Sequence, residues 1–154
     1  MSEVTQSHAY GIGIITVIIG LSFGLGYYQM FYLPELSQKP SVDEEVLNPT
    51  RSTEIEMIVG SADPNQQDNF VPKLLNIQLG FDNHIVWTNV DDVAHTVTPD
   101  QSTEDSYSGV FGSIGVIMPG ETYEFTFTEP NEVPYHCEPH PWMTGTLIIT
   151  KSRF

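Results

Sequence analysis

Residues 135–143, YHCEPHPWM, hold the only cysteine of the chain, two of its five histidines and a methionine. Two residues separate Cys137 from His140, and two more separate His140 from Met143. A thiol, an imidazole and a thioether on successive bends of one short loop can face a single point. Thiolate and thioether are soft ligands and imidazole is borderline, so such a point would hold a metal ion. Each residue alone has a plainer explanation: a buried thiol, a surface imidazole, a core methionine. The conjunction, in this order and spacing, favours the metal.

A fourth donor has to come from elsewhere in the chain, and WTNVDDVAHTVT supplies His95 beside a strand start. Two imidazoles, a thiolate and a weak axial thioether make the trigonal ligand set of an electron-transfer copper site. Zinc is the competing ion. Structural zinc sites rarely use methionine, and the chain has no Cys-x-x-Cys pair.

These donors need a scaffold, and the sequence from residue 53 onward reads as short strands. EIEMIVG (54–60), KLLNIQLG (73–80), HIVWTN (84–89), AHTVT (94–98), TYEFTFT (122–128), VPYHC (133–137) and TGTLIIT (144–150) are rich in β-branched and aromatic residues. In 122–128, Tyr123, Phe125 and Phe127 alternate with Thr and Glu, which puts the rings on one face. Turn formers separate the runs: Asp63-Pro64-Asn65, Gly80, Pro119-Gly120 and Glu129-Pro130-Asn131. The expected fold is all-β, an antiparallel Greek-key β-sandwich over residues 53–154. On it, Cys137 ends a strand and the next six residues loop out at one pole.

An anchor precedes the sandwich. Residues 9–33 carry no charge over 25 positions, and a helix of that length spans about 37 Å, enough to cross a bilayer core. Tyr27, Tyr28, Phe31 and Tyr32 gather at its end, as membrane–water boundaries favour. The rival is a cleaved signal peptide. The run exceeds the usual apolar region of a signal, and residues 1–8 carry Glu3 but no Lys or Arg, so a retained transmembrane helix is expected. Gly20 and Gly24 are a candidate seat for a partner helix. Residues 34–52 mix Pro, Ser and acids and read as a flexible tether. Lys39 and Arg51 follow the span and none precedes it, which by the positive-inside rule mildly opposes export of the domain.

Charge narrows the partners. Five Lys and Arg against twenty Asp and Glu leave a net charge of −15, which excludes nucleic acid and admits a basic protein. The same surface would serve as a solubility or salt adaptation.

The segments VWTN, HTVT, MPGETYEFTFTEP, YHCEPHPWM and GTLIIT together resemble the cupredoxins, the small blue copper proteins of plastocyanin and amicyanin type. The resemblance implies one type 1 copper ion held by His95, Cys137 and His140 in the equator and Met143 on the axis. It also implies an electron carrier on the extracytoplasmic side of the cell membrane, against the weak charge signal. Asn89, Thr96 and Glu138 are expected around the ligands. Thr96 stands where amicyanin-like members have Asn, and Glu138 adds a negative charge beside the cysteine. Pro141 and Trp142 in the loop, or His136 on the opposite strand face, are candidate points of electron entry and exit. Partners are expected among membrane or surface redox proteins. The alternatives are a copper-binding subunit fixed in a larger membrane complex and a copper-handling protein. An enzyme such as a nitrite reductase would need further copper centres, and only His8, His84 and His136 remain, with no His-x-His pair.

Overall fold

The computed structural model describes residues 3–36 and 41–151. Residues 1–2 of the expected tail, 37–40 of the expected tether and 152–154 of the expected domain lie outside them. The chain forms two units, 1–39 and 40–154.

In the first unit, α1 (Glu3–Tyr27) runs through a π-helical turn (Tyr28–Tyr32) into α2 (Leu33–Leu36). The helix therefore starts six residues before the uncharged run. Within it, residues 10–35 hold an 18-residue window of mean hydropathy 1.7, long and apolar enough to cross a membrane. Two of its hydroxyls are satisfied within the helix: that of Thr16 donates to the Gly13 carbonyl and that of Ser22 to Ile18, both at 2.8 Å. Such back-bonding suits a lipid environment, which offers no water. Tyr27 stacks on Phe31 and Tyr28 on Tyr32, the i,i+4 spacing that joins aromatic neighbours on one face.

The second unit is a sandwich built by alternation. In β1 (Ser52–Met57), β4 (His84–Asn89) and β10 (Thr144–Thr150), alternate side chains turn inward and are buried. One sheet has the order β2 (Phe70–Val71), β1, β4, β8 (Thr122–Thr126). The other has β3 (Leu74–Gln78), β10, β9 (Asn131–His136), β5 (Thr98–Pro99). A separate hairpin joins β6 (Glu104–Asp105) to β7 (Gly109–Val110). The sandwich matches the expected class, but β1–β4 and β3–β10 pair in parallel, so each sheet is mixed. Strand periodicity fixes which face is buried and says nothing of direction. The expected strand at 94–98 survives as one bridge, His95 to Ile117, followed by β5.

Trp87, Phe70, Phe111, Phe127 and Tyr135 fill the space between the sheets, all at most 2% exposed. Trp87 meets Tyr135 edge-on and Phe111 lies against Phe127. Each such ring is worth about 1.5–3 kcal/mol of burial. The Tyr135 ring lies over Gly145 of the neighbouring strand, where a Cβ would collide with it. Only glycine permits that packing two residues before Cys137.

The expected flexible tether is shorter than 34–52. A turn of helix, α3 (Glu44–Leu47), docks on the sandwich: the buried Asn83 amide donates to the carbonyls of Val46 (2.8 Å) and Phe127 (2.7 Å). Arg51 donates its amide to the Phe81 carbonyl and its guanidinium to Asp82 at 3.1 Å. Val46 supplies the apolar contact; one such residue among acids is too little periodicity to read from sequence.

Asp105 closes the hairpin side of the fold. Its buried carboxylate accepts from the amides of Tyr107 (3.1 Å), Ser108 (2.9 Å) and Thr128 (2.6 Å) and from the Thr128 hydroxyl (2.5 Å). Burial alone would raise its pKa; these donors outweigh it and hold the carboxyl below its ordinary value. The stability it contributes is therefore full above the unfolded pKa of about 3.9 and is lost as pH falls through the lower folded value. Asp105→Asn should cost about 1–3 kcal/mol at neutral pH and flatten the decline of stability on acidification. Unfolding measured from pH 7 to pH 2 checks this; superimposable acid profiles would remove Asp105 from the account.

Candidate metal centre

His95 and the 137–143 loop meet at one pole because two separate devices hold them there. The loop is closed by its own backbone. His140 N donates to Cys137 O (3.1 Å), Met143 N to His140 O (2.9 Å), and Cys137 N to Met143 O (3.1 Å). Pro139 and Pro141, either side of His140, fix their φ angles and withdraw two amides that would compete for these acceptors. His95 is held by its two-bond bridge to Ile117 (3.1 and 2.7 Å). Asn89, buried at the end of β4, donates to the carbonyls of Val93 (2.8 Å) and Ile117 (2.9 Å) and fastens both flanks of that bridge.

The result is a tight triangle of donors. His95 Nδ1 lies 3.1 Å from His140 Nδ1, and Cys137 Sγ lies 3.6 Å from each. His95, Cys137 and Met143 are fully buried, and His140 is half-buried. Three of the four expected donors thus converge on one point, with Met143 enclosed in the same loop.

Thr96, directly after His95, ties the two ligand loops together. Its amide donates to Cys137 Sγ at 3.3 Å, and its hydroxyl accepts from the Glu138 amide at 2.8 Å. The two ligand loops are joined through a hydroxyl instead of a carboxamide. Glu138 contributes that backbone amide, while its side chain is exposed. Trp142 is 36% exposed, its indole N–H donating to the Ser61 carbonyl at 3.1 Å and its ring 5.4 Å from that of His140. Pro139 and Pro141 are exposed beside it. His136 faces away from the triangle and pairs with Asp100 at 2.6 Å. His84 is half-buried, between Thr126 (2.9 Å) and Glu124 (3.4 Å), remote from the donors in the fold.

Asp91, one of the twenty acids of the chain, is buried instead of lying on the surface, with Oδ2 2.9 Å from His95 Nε2 and Oδ1 accepting from the amides of Gly60 and Asp92, each at 2.9 Å. Its position four residues before His95 was the available signal.

The electrostatics favour a thiolate beside a cation. Burial works against the Cys137 thiolate, but His95 and the amides of Thr96 and His140 pull the pKa below the ordinary thiol value. Burial likewise opposes charge on His95, and the adjoining Cys137 and Asp91 raise its pKa regardless. His140 is lowered, by burial and by the charge of His95. Burial would raise Asp91, but the Gly60 amide, His95 and Asp92 bring it down to about 2.

These separations suit donors that share one ion at ordinary lengths of about 2.0–2.1 Å to nitrogen and 2.3 Å to sulfur. A buried thiolate with two imidazoles is the donor chemistry of copper electron-transfer proteins. Fold and donor set together define a β-sandwich copper protein of cupredoxin type.

Comparison agrees with the geometry. Residues 57–150 match the family described as copper binding proteins, plastocyanin/azurin family, and the chain belongs to it. Amicyanin from Paracoccus denitrificans is 29% identical over 79 residues, 49% of this chain and 53% of amicyanin. The chain thus spans about half the length of that curated relative. A purple cupredoxin from Nitrosopumilus maritimus superposes with a TM-score of 0.54 at 25% identity, over 64% of this chain and 99% of its own. One part of a Cu-containing nitrite reductase from Thermus scotoductus shares the fold. Its TM-score is 0.51 at 21% identity, over 73% of this chain and 28% of the reductase.

Proposed function

We propose that this chain is a membrane-anchored carrier of single electrons, in which His95, Cys137, His140 and Met143 would hold one type 1 copper. The observation that carries this reading is the donor triangle, 3.1 to 3.6 Å on its sides, held by the protein's own hydrogen bonds. The copper, when bound, supplies a one-electron Cu(I)/Cu(II) couple. The chain's residues supply a fixed frame, exclude water from three of the four ligands, and present the fourth, His140, at the edge.

An electron carrier is preferred to an enzyme because one donor cluster of this kind stands among the described residues. The kinship with a nitrite reductase is one of fold. Some members of this wider fold are enzymes, and catalysis by the present chain alone would need a second centre.

The apolar helix favours anchoring over a soluble life, and the likeness to cupredoxins favours the extracytoplasmic side for the copper domain. If residues 10–35 span the bilayer, the full chain should stay in the membrane pellet through carbonate washing and need detergent for release. Recovery of a soluble chain with a new N-terminus inside that segment would instead identify a processed signal.

Pro139, Pro141 and Trp142 offer a small apolar rim around His140, suited to brief docking with a redox partner. The exposed Asp92 and Glu138 lie in the two ligand loops and favour a partner of basic surface. Trp142→Ala should slow electron exchange with the native partner at every ionic strength. Asp92→Asn with Glu138→Gln should slow it mainly at low salt, where screening is weak. Stopped-flow rates that ignore all three changes would move the docking face, with the His136–Asp100 pair the next position to examine.

A further inference from the structure

The copper centre has a support outside the donor set, and it begins at the back of His95. That imidazole is fully buried and has only two nitrogens to place. Nδ1 faces Cys137 Sγ and His140 Nδ1, whereas Nε2 faces Asp91 Oδ2 at 2.9 Å. The Asp91 side chain is itself fully shielded from solvent. Among the described residues no Lys or Arg is paired with it; its other oxygen is filled by the amides of Gly60 and Asp92. Gly60 reaches it with φ at +87°, a conformation that a side chain would strain. Asp91 N in turn donates to Asn89 Oδ1 at 3.0 Å. The carboxylate is thus pinned on both sides before it meets the imidazole.

We propose that Asp91 is a positioning residue for copper: its carboxylate obliges His95 to carry its proton on Nε2 and so keeps the Nδ1 lone pair aimed at the metal position. An ionised carboxylate is acceptor-only, so the imidazole nitrogen against it has to be the donor. In neutral imidazole the other nitrogen is then bare, which is the form a metal requires. The same contact pushes electron density toward Nδ1 and makes it the more basic ligand, which favours Cu(II) over Cu(I). This reading rests on the copper assignment above and adds a preference of oxidation state to it.

Asparagine in place of Asp91 tests the claim through its own chemistry. If the carbonyl of the new carboxamide takes the Gly60 and Asp92 amides, its NH2 group meets the Nε2–H of His95, donor against donor. Relief requires the imidazole to move its proton to Nδ1, toward the metal position, or to turn away.

Asp91→Asn and Asp91→Glu should be compared with the native full chain in detergent, each loaded with copper and titrated against a chelator in both oxidation states. In Asp91→Asn, Cu(II) affinity should fall by about tenfold to a hundredfold, Cu(I) affinity should fall less, and the reduction potential should rise. Asp91→Glu keeps the charge and should recover part of the Cu(II) affinity and lower the potential again. Nitrogen-15 NMR of the native Cu(I) chain should show a His95 Nε2–H that is hydrogen-bonded and protected from exchange. This last measurement serves even if Asp91→Asn does not fold. The inference is overturned by an unprotected Nε2–H in the native chain, by native Cu(II) affinity in Asp91→Asn, or by equal losses of Cu(I) and Cu(II) in both variants, which would mark a packing role only. Failure of the native chain to bind copper at all would instead overturn the functional reading on which the inference stands.

Discussion

Three atoms that each seek a proton or a metal lie within 3.6 Å of one another: Cys137 Sγ, His95 Nδ1 and His140 Nδ1. Lone pairs at that range repel unless a cation lies between them, so the surrounding backbone has to hold them in place. The rest of the domain can be understood from this constraint. The 137–143 loop closes on itself through three backbone hydrogen bonds, and Thr96 clamps it to the His95 segment. Asn89 and Ile117 fix that segment to the end of a buried strand. Behind them, Trp87, Phe111 and Tyr135 provide a buried, close-packed wall that yields little. An electron-transfer site benefits from such stiffness, since ligands that stay in place need little rearrangement when the charge changes.

Supports of different strength serve the two histidines. His95 is buried and braced by a carboxylate, whereas His140 is half-buried and bordered by exposed Pro139, Pro141 and Trp142. Trp142 is no loose surface ring: its indole is tied to the Ser61 carbonyl, next to the Gly60 whose amide holds Asp91. Residues 60–61 therefore touch the supports of both histidines. At the other end of β4, Asn83 and Asp82 receive the helical turn α3 and Arg51. The segment preceding β1 is thus docked at the opposite end of that strand from the donors.

Much of this was legible in the sequence because the chemistry-bearing residues are close together in it. Cys137, His140 and Met143 declare themselves by type and spacing, and Tyr123, Phe125 and Phe127 by alternation. The uncharged run declares the helix. What stayed hidden depends on long-range packing. The two-residue strands β2, β5, β6 and β7 carry too few residues for a period, and parallel pairing leaves no mark on a single strand. Residues 41–51 look like tether because Val46 is their chief apolar contact with the core. Asp91 looks like any acid in an acidic chain; only the fold turns its side chain inward, and only then does its spacing from His95 become meaningful.

The central claim, that the chain's own frame makes a thiolate–imidazole copper site, is tested most directly by adding Cu(II) to the purified full chain in detergent while recording visible and electron paramagnetic resonance spectra. The account predicts one equivalent of copper, an intense visible thiolate-to-Cu(II) band and a single narrow-hyperfine signal, with the band absent in Cys137→Ser and the β fold retained. Uptake of copper without that band, or a band that persists in Cys137→Ser, would contradict it.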